Sequence, residues 1–382
     1  MNRKLIVALS LFLVSLASIA ADQTPSNPAS TKAEKRAITL TFDASGAELE
    51  LAALDADVQH AEAAADLAVH NADVQASIAH AHDFMPDATT ESFKGALIAA
   101  ATGATDKLFG MNEKKAKLNS IRALIGKIKS NSNALTREIS ARLQSFAPQV
   151  KPMTVRVALI VGGGSDGFQT DDVPNTFFLD VSYFDEDMEG VALLASHELF
   201  HVIQAHERPT DAAIDPDKSG LSQQERRIMG MRLLFLALEN EGTASLVGDA
   251  MEWPGQNGSY VSWFHKKFQR NLAHIDQSFV QFDNLMFRAS HDADAPMDNL
   301  YNLGFSGQWD SNAYFVGYRM AQAIDKYSGR GHLNALLDLP AEDFVLSYAA
   351  VRAAHPEDSS LPPLSVATIA AARELRTIDS SK

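Results

Sequence analysis

The most informative stretch of this chain runs from Val191 to Gln204 and reads VALLASHELFHVIQ. Its uncharged flanks predict a buried helix, because a solvated helix would carry charged residues on its remaining faces. His197 and His201 lie four positions apart, so both imidazoles point the same way on a helix. Two converging imidazoles supply half of a tetrahedral zinc site, and Glu198 beside them can accept a proton from water. The stretch therefore predicts metal-assisted hydrolysis.

A catalytic zinc ion usually has three protein ligands, so a third must come from elsewhere in the chain. The metzincin pattern would require Gly at position 204 and His at position 207, where this chain has Gln204 and Glu207. A carboxylate on a later helix is the remaining common solution.

Glu241 is the predicted third ligand. It follows a strongly apolar helical run and precedes Gly242 and Ala244. We expect these small residues to let its helix approach the histidine helix closely. Glu239 lies on another face of the same helix, and Glu225 has the polar and arginine neighbours of a solvated face. Both remain alternatives.

The chain thus has two motifs: His-Glu-x-x-His at 197–201 and Glu-Gly-x-Ala at 241–244. Together they resemble the motifs of the gluzincin metallopeptidases, most closely those of the peptidase-MA-like group and related bacterial zinc peptidases. The resemblance covers roughly residues 155–327. It implies zinc ligation by His197, His201 and Glu241, with Glu198 as the general base. It also implies a zincin-like fold, with a small sheet over the metal helix and a helical lower half. The chain departs from short-spaced gluzincins in its longer separation between the two motifs, which an inserted loop between 208 and 222 would explain.

The first residues have the pattern of a secretory signal. A short basic segment precedes an apolar run from Leu5 to Leu16, and small residues lead up to Ala20. We expect residues 1–20 to be a signal peptide, residues 21–36 to be a polar linker, and the protein to be periplasmic or secreted. An uncleaved amino-terminal anchor is the alternative.

Composition narrows the range of partners. The formal net charge of −15 at pH 7 argues against nucleic acid or anionic lipid as the main partner. The chain has no cysteine, so the fold must depend on its core and on its metal rather than on disulfides. After the leader, no segment is long and apolar enough for a transmembrane helix, so no stable membrane span is expected in the mature chain.

Periodicity predicts an α+β, mostly helical fold. We expect residues 37–150 to form a helical amino-terminal region that begins with a short strand, and residues 151–382 to form the zincin-like catalytic domain. Strands are predicted at 155–161 and 176–181. The second could be a sheet edge that pairs with an extended substrate, or an ordinary interior strand. The intervening glycine cluster lacks the ending of a phosphate loop and predicts a turn.

Four histidines of the amino-terminal region, His60, His70, His80 and His82, do not converge on one helix face, so we expect them to be solvated. Further along, residues 260–289 predict one long helix, and residues 291–309 predict a long loop.

The helix predicted over 312–327 carries Tyr314 and Tyr318 on one face. A zinc peptidase needs a donor for the oxyanion of its tetrahedral intermediate. Tyr314 and Tyr318 are the catalytic candidates for that role, followed by His265 and His291. The alternative for each tyrosine is ordinary packing.

Three functions are compatible with these residues. The leading one is a zinc-dependent peptidase that hydrolyses a peptide or protein substrate, with Glu198 as the general base. The second is a secreted, zinc-binding but inactive binding or scaffold module, which would not need Glu198. The third is a purely structural motif that binds no metal.

Overall fold

The computed structural model describes residues 38–148, 151–170, 172–208, 220–253, 255, 259–292, 294–307 and 310–380. Over these residues the chain is mostly helical with one small mixed sheet, which confirms the predicted α+β class. The predicted signal peptide and linker lie outside the described residues, as does most of the predicted 208–222 loop. No described helix is both long enough and apolar enough to cross a membrane.

The strands are β1 (Ile38–Asp43), β2 (Met153–Ile160), β3 (Gly167–Phe168) and β4 (Thr176–Asp180). The helices before β2 are α1 (Ser45–Asp55), α2 (Ala61–Val69), α3 (Ala72–Phe84), α4 (Thr90–Thr102), α5 (Met111–Ala116) and α6 (Leu118–Phe146). Those after β4 are α7 (Met188–Glu207), α8 (Gln223–Val247), α9 (Tyr260–Leu272), α10 (Ile275–His291), α11 (Met297–Phe305), α12 (Asn312–Ser328), α13 (Arg330–Leu336), α14 (Ala341–Ala354) and α15 (Val366–Ser380).

The sheet has the strand order β1-β2-β4-β3. β1, β2 and β4 are parallel, whereas the two-residue β3 pairs antiparallel with β4 through Phe168 and Phe178. β4 is therefore an interior strand, and of the two alternatives for residues 176–181 the sheet edge is wrong. The chain after β2 turns back at Asp166, whose carbonyl accepts a hydrogen bond from the Asp180 N–H, and so places β3 outside β4.

Both faces of the sheet are covered. Val155, Val157 and Leu159 of β2 belong to the main hydrophobic core, while Ala158 and Ile160 face a smaller cluster on the opposite side. The alternating side chains that predicted this strand are therefore buried on both faces of the sheet.

The sheet joins segments that lie far apart in sequence. Because β1 pairs with β2 along its length, the amino-terminal region contributes an edge strand to the sheet beside α7. Helix α6 packs against both β1 and α7. The division of the chain near residue 150 stays a prediction.

His80 corrects one prediction. His60, His70 and His82 are exposed as expected, but His80 is buried and stacks on Phe168 with ring centroids 4.0 Å apart. Helix α3 packs over the second face of the sheet, and position 80 is the one that meets edge strand β3. Burial lowers the pKa of His80 to about 4, so the ring is neutral and serves packing.

Two predictions for the carboxy-terminal part are also wrong. The single helix expected over 260–289 is two helices, α9 and α10, because its aromatic residues bury against different partners. Phe268 packs on Tyr318, whereas Phe279 packs on Tyr348, and the chain turns at His274 between them. The loop expected over 291–309 contains helix α11.

Candidate metal centre

Helix α7 presents the two motif histidines. Asp187 caps the helix by accepting a hydrogen bond from the Gly190 N–H at 3.0 Å, and the helix then continues through 20 residues. His197 and His201 are both buried, and their Nε2 atoms lie 3.2 Å apart. The four-residue spacing alone is enough to produce this convergence.

Glu241 completes a triad with the two histidines. It lies on α8, and its Oε2 is 3.4 Å from His197 Nε2 and 3.3 Å from His201 Nε2. Over the described residues, this is the one group of three or more His, Asp and Glu side chains close enough together to hold a metal ion. The structure thus brings together the three residues that the sequence suggested as ligands.

The dimensions of the triad fit zinc. Zinc–nitrogen and zinc–oxygen bonds of about 2.05 Å in a tetrahedron place neighbouring donors about 3.3 Å apart. The three observed separations range from 3.2 to 3.4 Å. Moreover, the buried Glu241 Oε2 accepts no hydrogen bond from any residue that the structure describes, which would be costly for a carboxylate without a cation to pair with it.

Gln204 fixes the orientation of His201. The Gln204 Nε2 donates to the Asn240 carbonyl at 3.0 Å and to Thr243 Oγ1 at 2.8 Å, so its Oε1 is the atom that faces His201 Nδ1 at 2.7 Å. Because Oε1 can only accept, Nδ1 must carry the proton, which leaves the Nε2 lone pair directed at the triad. Gln204, whose identity argues against a metzincin, therefore orients His201 and bridges α7 to α8.

The electrostatics of the triad favour a positive charge at its centre. Burial disfavours the charged form of His201, but the Glu241 carboxylate outweighs it and raises the His201 pKa to about 9. Burial likewise opposes ionisation of Glu241, yet the neighbouring imidazoles hold its pKa at about 2. A divalent cation bound there would supply that positive charge.

Glu198 lies beside the triad with a buried side chain. Burial raises the pKa of its carboxyl group, although the two histidines oppose that shift. Its backbone carbonyl accepts a hydrogen bond from Gln169 Nε2 at 2.7 Å, and Gln169 directly follows edge strand β3. The backbone of the proposed base is thus tied to the residue that follows edge strand β3.

A cavity adjoins the triad, and His197, Glu198 and Tyr314 line it. The ring of Tyr314 is stacked near that of His197 at 6.4 Å, and its hydroxyl has no hydrogen-bond partner among the described residues. Burial, followed by the charge of Glu241, raises the pKa of Tyr314 well above its usual value. Tyr314 therefore keeps its proton and can donate it.

The structure places Tyr318 differently. Its hydroxyl donates to Asp249 at 2.7 Å and accepts from Gln322, and it does not line the cavity. His265 Nδ1 donates to the Ala250 carbonyl at 2.8 Å, and His291 is exposed on α10. None of these three side chains faces the triad cavity.

The alternative carboxylates have other partners. Glu239 is buried and binds Arg208 at 2.6 Å, and Glu225 forms a capping box with Ser222 at the start of α8. The expected role of the small residues near Glu241 is wrong for Gly242, because Gly242 faces Gly317 of α12 rather than the histidine helix. The reach of Glu241 to the triad therefore depends on other contacts, including the Gln204 bridge.

Several residues of the cavity went unnoticed in the sequence, and two of them are polar side chains of interest for ligand binding. Lys267 of α9 and Ser311, the residue before α12, both line it. Ser311 carries a weak signal, since serine often precedes a helix as its cap. Nothing in the local pattern distinguishes Lys267 from Lys266, the other lysine of its helix.

Residues 71–356 match the family described as "Putative zinc dependent peptidase (DUF5700)", and the match spans well over half of the chain. It includes every member of the triad, Glu198 and both tyrosines. No curated protein and no solved structure matches the chain.

Proposed function

Because this chain belongs to the DUF5700 family, whose description is that of a zinc-dependent peptidase, we propose that it hydrolyses peptide bonds at a zinc ion held by His197, His201 and Glu241. The observation that carries the proposal is the buried triangle of two imidazole nitrogens and one carboxylate oxygen, with edges that suit tetrahedral zinc. Two helix motifs, HELFH and EGTA, support a gluzincin-type site.

In this site, a zinc ion would polarise the scissile carbonyl and activate a water. Glu198 takes the proton of the attacking water and passes it to the leaving amine. Its raised pKa suits that task, because a carboxyl group that titrates closer to neutrality can both accept and return a proton. Gln204 holds His201 in the tautomer that binds metal.

Of the two candidate tyrosines, we propose Tyr314 as the donor to the developing oxyanion. Its hydroxyl lies in the cavity and lacks a partner, whereas that of Tyr318 is occupied by Asp249. A preorganised donor of this kind acts on charge that appears only in the transition state.

We also propose that the peptidase works outside the cytoplasm, in the periplasm or after secretion. This rests on the signal-like pattern of residues 1–20 and on nothing in the described fold.

A metal analysis combined with a peptide digest tests the function. We expect about one zinc per chain in the purified protein and cleavage of members of a peptide library. Glu198→Gln should keep the zinc and lose cleavage by at least about a hundredfold, since it removes the proton acceptor and no ligand. Stoichiometric zinc without cleavage of any peptide would instead support the inactive binding module. Full activity in Glu198→Gln would remove Glu198 from the mechanism.

A further inference from the structure

Lys267 stands apart among the residues that line the triad cavity. Among the described residues that line the cavity it is the only lysine or arginine, and its ammonium forms no hydrogen bond and no ion pair with a described residue, although Asp310 and Asp166 lie near enough to attract it. Its side chain is half-buried, and its ammonium lies 5.9 Å from the centre of the Phe264 ring. Burying a cation without a partner is costly, so an anion is expected to pair with it when the site is in use.

The acidic groups around Lys267 are already engaged. Asp166, which lines the same cavity, accepts a hydrogen bond from the Tyr260 hydroxyl at 2.6 Å. Asp310 forms a two-pronged pair with Arg270 at 2.7 and 2.8 Å. The second pair also ties α9, which carries Lys267, to the turn before α12.

Ser311 offers a second, independent observation in that turn. The residue is 1% exposed, and its Oγ has no hydrogen-bond partner within the described residues. Its φ of 52° is in the left-handed region, which a serine adopts at a cost. Although it precedes α12, the hydroxyl does not cap that helix. A buried hydroxyl kept without a partner, in a strained backbone, is explained if it binds a ligand.

The start of α12 adds a favourable dipole at the same place. α12 is 17 residues long, and Ser311 occupies its N-cap position. The positive end of the helix therefore lies beside the Ser311 hydroxyl, where a carboxylate is stabilised.

We propose that Lys267 and Ser311 form a subsite for a carboxylate of the peptide substrate. This inference rests on the proposed function and names the substrate class: peptides with a carboxylate close to the scissile bond. Tyr314 lies one turn after Ser311 and lines the same cavity as Glu198, so a carboxylate held by Lys267 would share that cavity with the reacting carbonyl. The carboxylate is either the free carboxy terminus or an acidic side chain.

Matched peptides test the subsite and separate these two sources. One pair differs only in a free acid or an amide at the carboxy terminus. The other pair is amidated and differs only in Glu or Gln at one internal position. We expect kcat/KM to be about ten- to a hundredfold higher for the carboxylate-bearing member of one pair. This is the difference that a hydrogen bond to a charged group typically makes.

In Lys267→Gln the ratio of the two kcat/KM values within that pair should fall to about one. Ser311→Ala should lower the same ratio only in part. Lys266→Gln, which removes the neighbouring exposed lysine of α9, is the control and should keep the full ratio. Equal rates within both pairs for the unaltered protein would overturn the subsite and leave the peptidase standing.

Binding provides a readout that needs no turnover. Calorimetric titration of the Glu198→Gln protein with the same peptides should give tighter binding of the carboxylate-bearing member, and adding Lys267→Gln should abolish the difference. If no peptide is cleaved by the unaltered protein, the proposed function fails, and the titration alone decides whether the subsite exists. Equal binding within both pairs overturns it.

Discussion

Gly242 of α8 and Gly317 of α12 meet with no side chain between the two helices. A Cβ on Gly242 would overlap the carbonyl carbon of Gly317, and a Cβ on Gly317 would overlap the Leu238 carbonyl oxygen. Glu241 directly precedes the first glycine, and Tyr314 lies one turn before the second. The close approach of these two helices therefore sets how far the proposed zinc ligand lies from the proposed oxyanion donor.

Gly317→Ala should push the two helices apart. Overpacking of a tight interface costs about 1–3 kcal/mol, so we expect a lower melting temperature together with weaker zinc binding. Gly126→Ala is a matched control, because Gly126 also lies within a helix but has open space around its Cα. That variant should be neutral or more stable by up to about 1 kcal/mol. Equal melting temperatures for Gly317→Ala and the unaltered protein would contradict the close contact.

Gln204→Leu should weaken zinc binding while leaving all three ligands in place. Loss of a hydrogen-bond partner of a ligating histidine typically costs about 10- to 100-fold in metal affinity. Competition with a chromophoric chelator measures this. Thr243→Val removes one anchor of the Gln204 amide without touching His201, and it should have a smaller effect. An unchanged zinc affinity in Gln204→Leu would show that His201 does not depend on this hydrogen bond.

Tyr314→Phe should mainly affect catalysis, whereas Tyr318→Phe should mainly affect stability. Removing an oxyanion donor lowers kcat by about 10²- to 10³-fold, so Tyr314→Phe should lower kcat with little change in KM. Tyr318→Phe removes a buried hydrogen bond to Asp249 and should mainly lower stability, by about 1–3 kcal/mol. Steady-state kinetics and thermal unfolding of both variants provide the comparison. A larger loss of kcat in Tyr318→Phe would reverse the assignment.

Glu50, a buried residue outside the triad, should make the stability of the fold depend on pH. Its side chain is fully buried, with Oε2 accepting from the Val161 N–H at 2.7 Å. Burial, reinforced by the nearby Asp180, raises the Glu50 pKa from 4.5 to about 8. The folded state thus holds a proton that the unfolded state releases, and stability falls as pH rises from about 4.5 to about 8.

Glu50→Gln should remove that part of the decline, because the amide resembles the protonated acid. We expect the variant to melt near the unaltered protein at pH 5 and clearly above it at pH 9, as measured by calorimetry. A constant difference in melting temperature across this range would mean that Glu50 titrates normally in the fold.

Local sequence patterns predicted the parts of the structure that depend on local geometry. Helix α7 contains the whole stretch from Val191 to Gln204 that predicted it, and the four-residue spacing of His197 and His201 determines their convergence. Glu241 could be predicted as the third ligand because it is one of few carboxylates that follow an apolar helical run. Its distance from the histidines, however, depends on how α7 and α8 pack. The division of 260–289 into two helices depends on partners in α12 and α14, which no local pattern contains.

The remaining features depend on long-range neighbours. β3 has two residues, too few for an alternating pattern, so only its pairing with β4 identifies it as the edge. His80 is buried because α3 covers that edge. Gly242 allows a close helix contact only because Gly317 of another helix lies against it. Lys267 becomes notable only once the fold shows that its ammonium lines the cavity without an ion pair to any described residue.

The position of a bound zinc ion tests the central claim most directly. An anomalous difference map from crystals of the purified protein, with data collected on both sides of the zinc absorption edge, would locate it. We expect one peak about 2.0–2.2 Å from His197 Nε2, His201 Nε2 and a carboxylate oxygen of Glu241, with a fourth position open to the cavity. A zinc peak elsewhere, or a zinc ion bound by the histidines without Glu241, would contradict it.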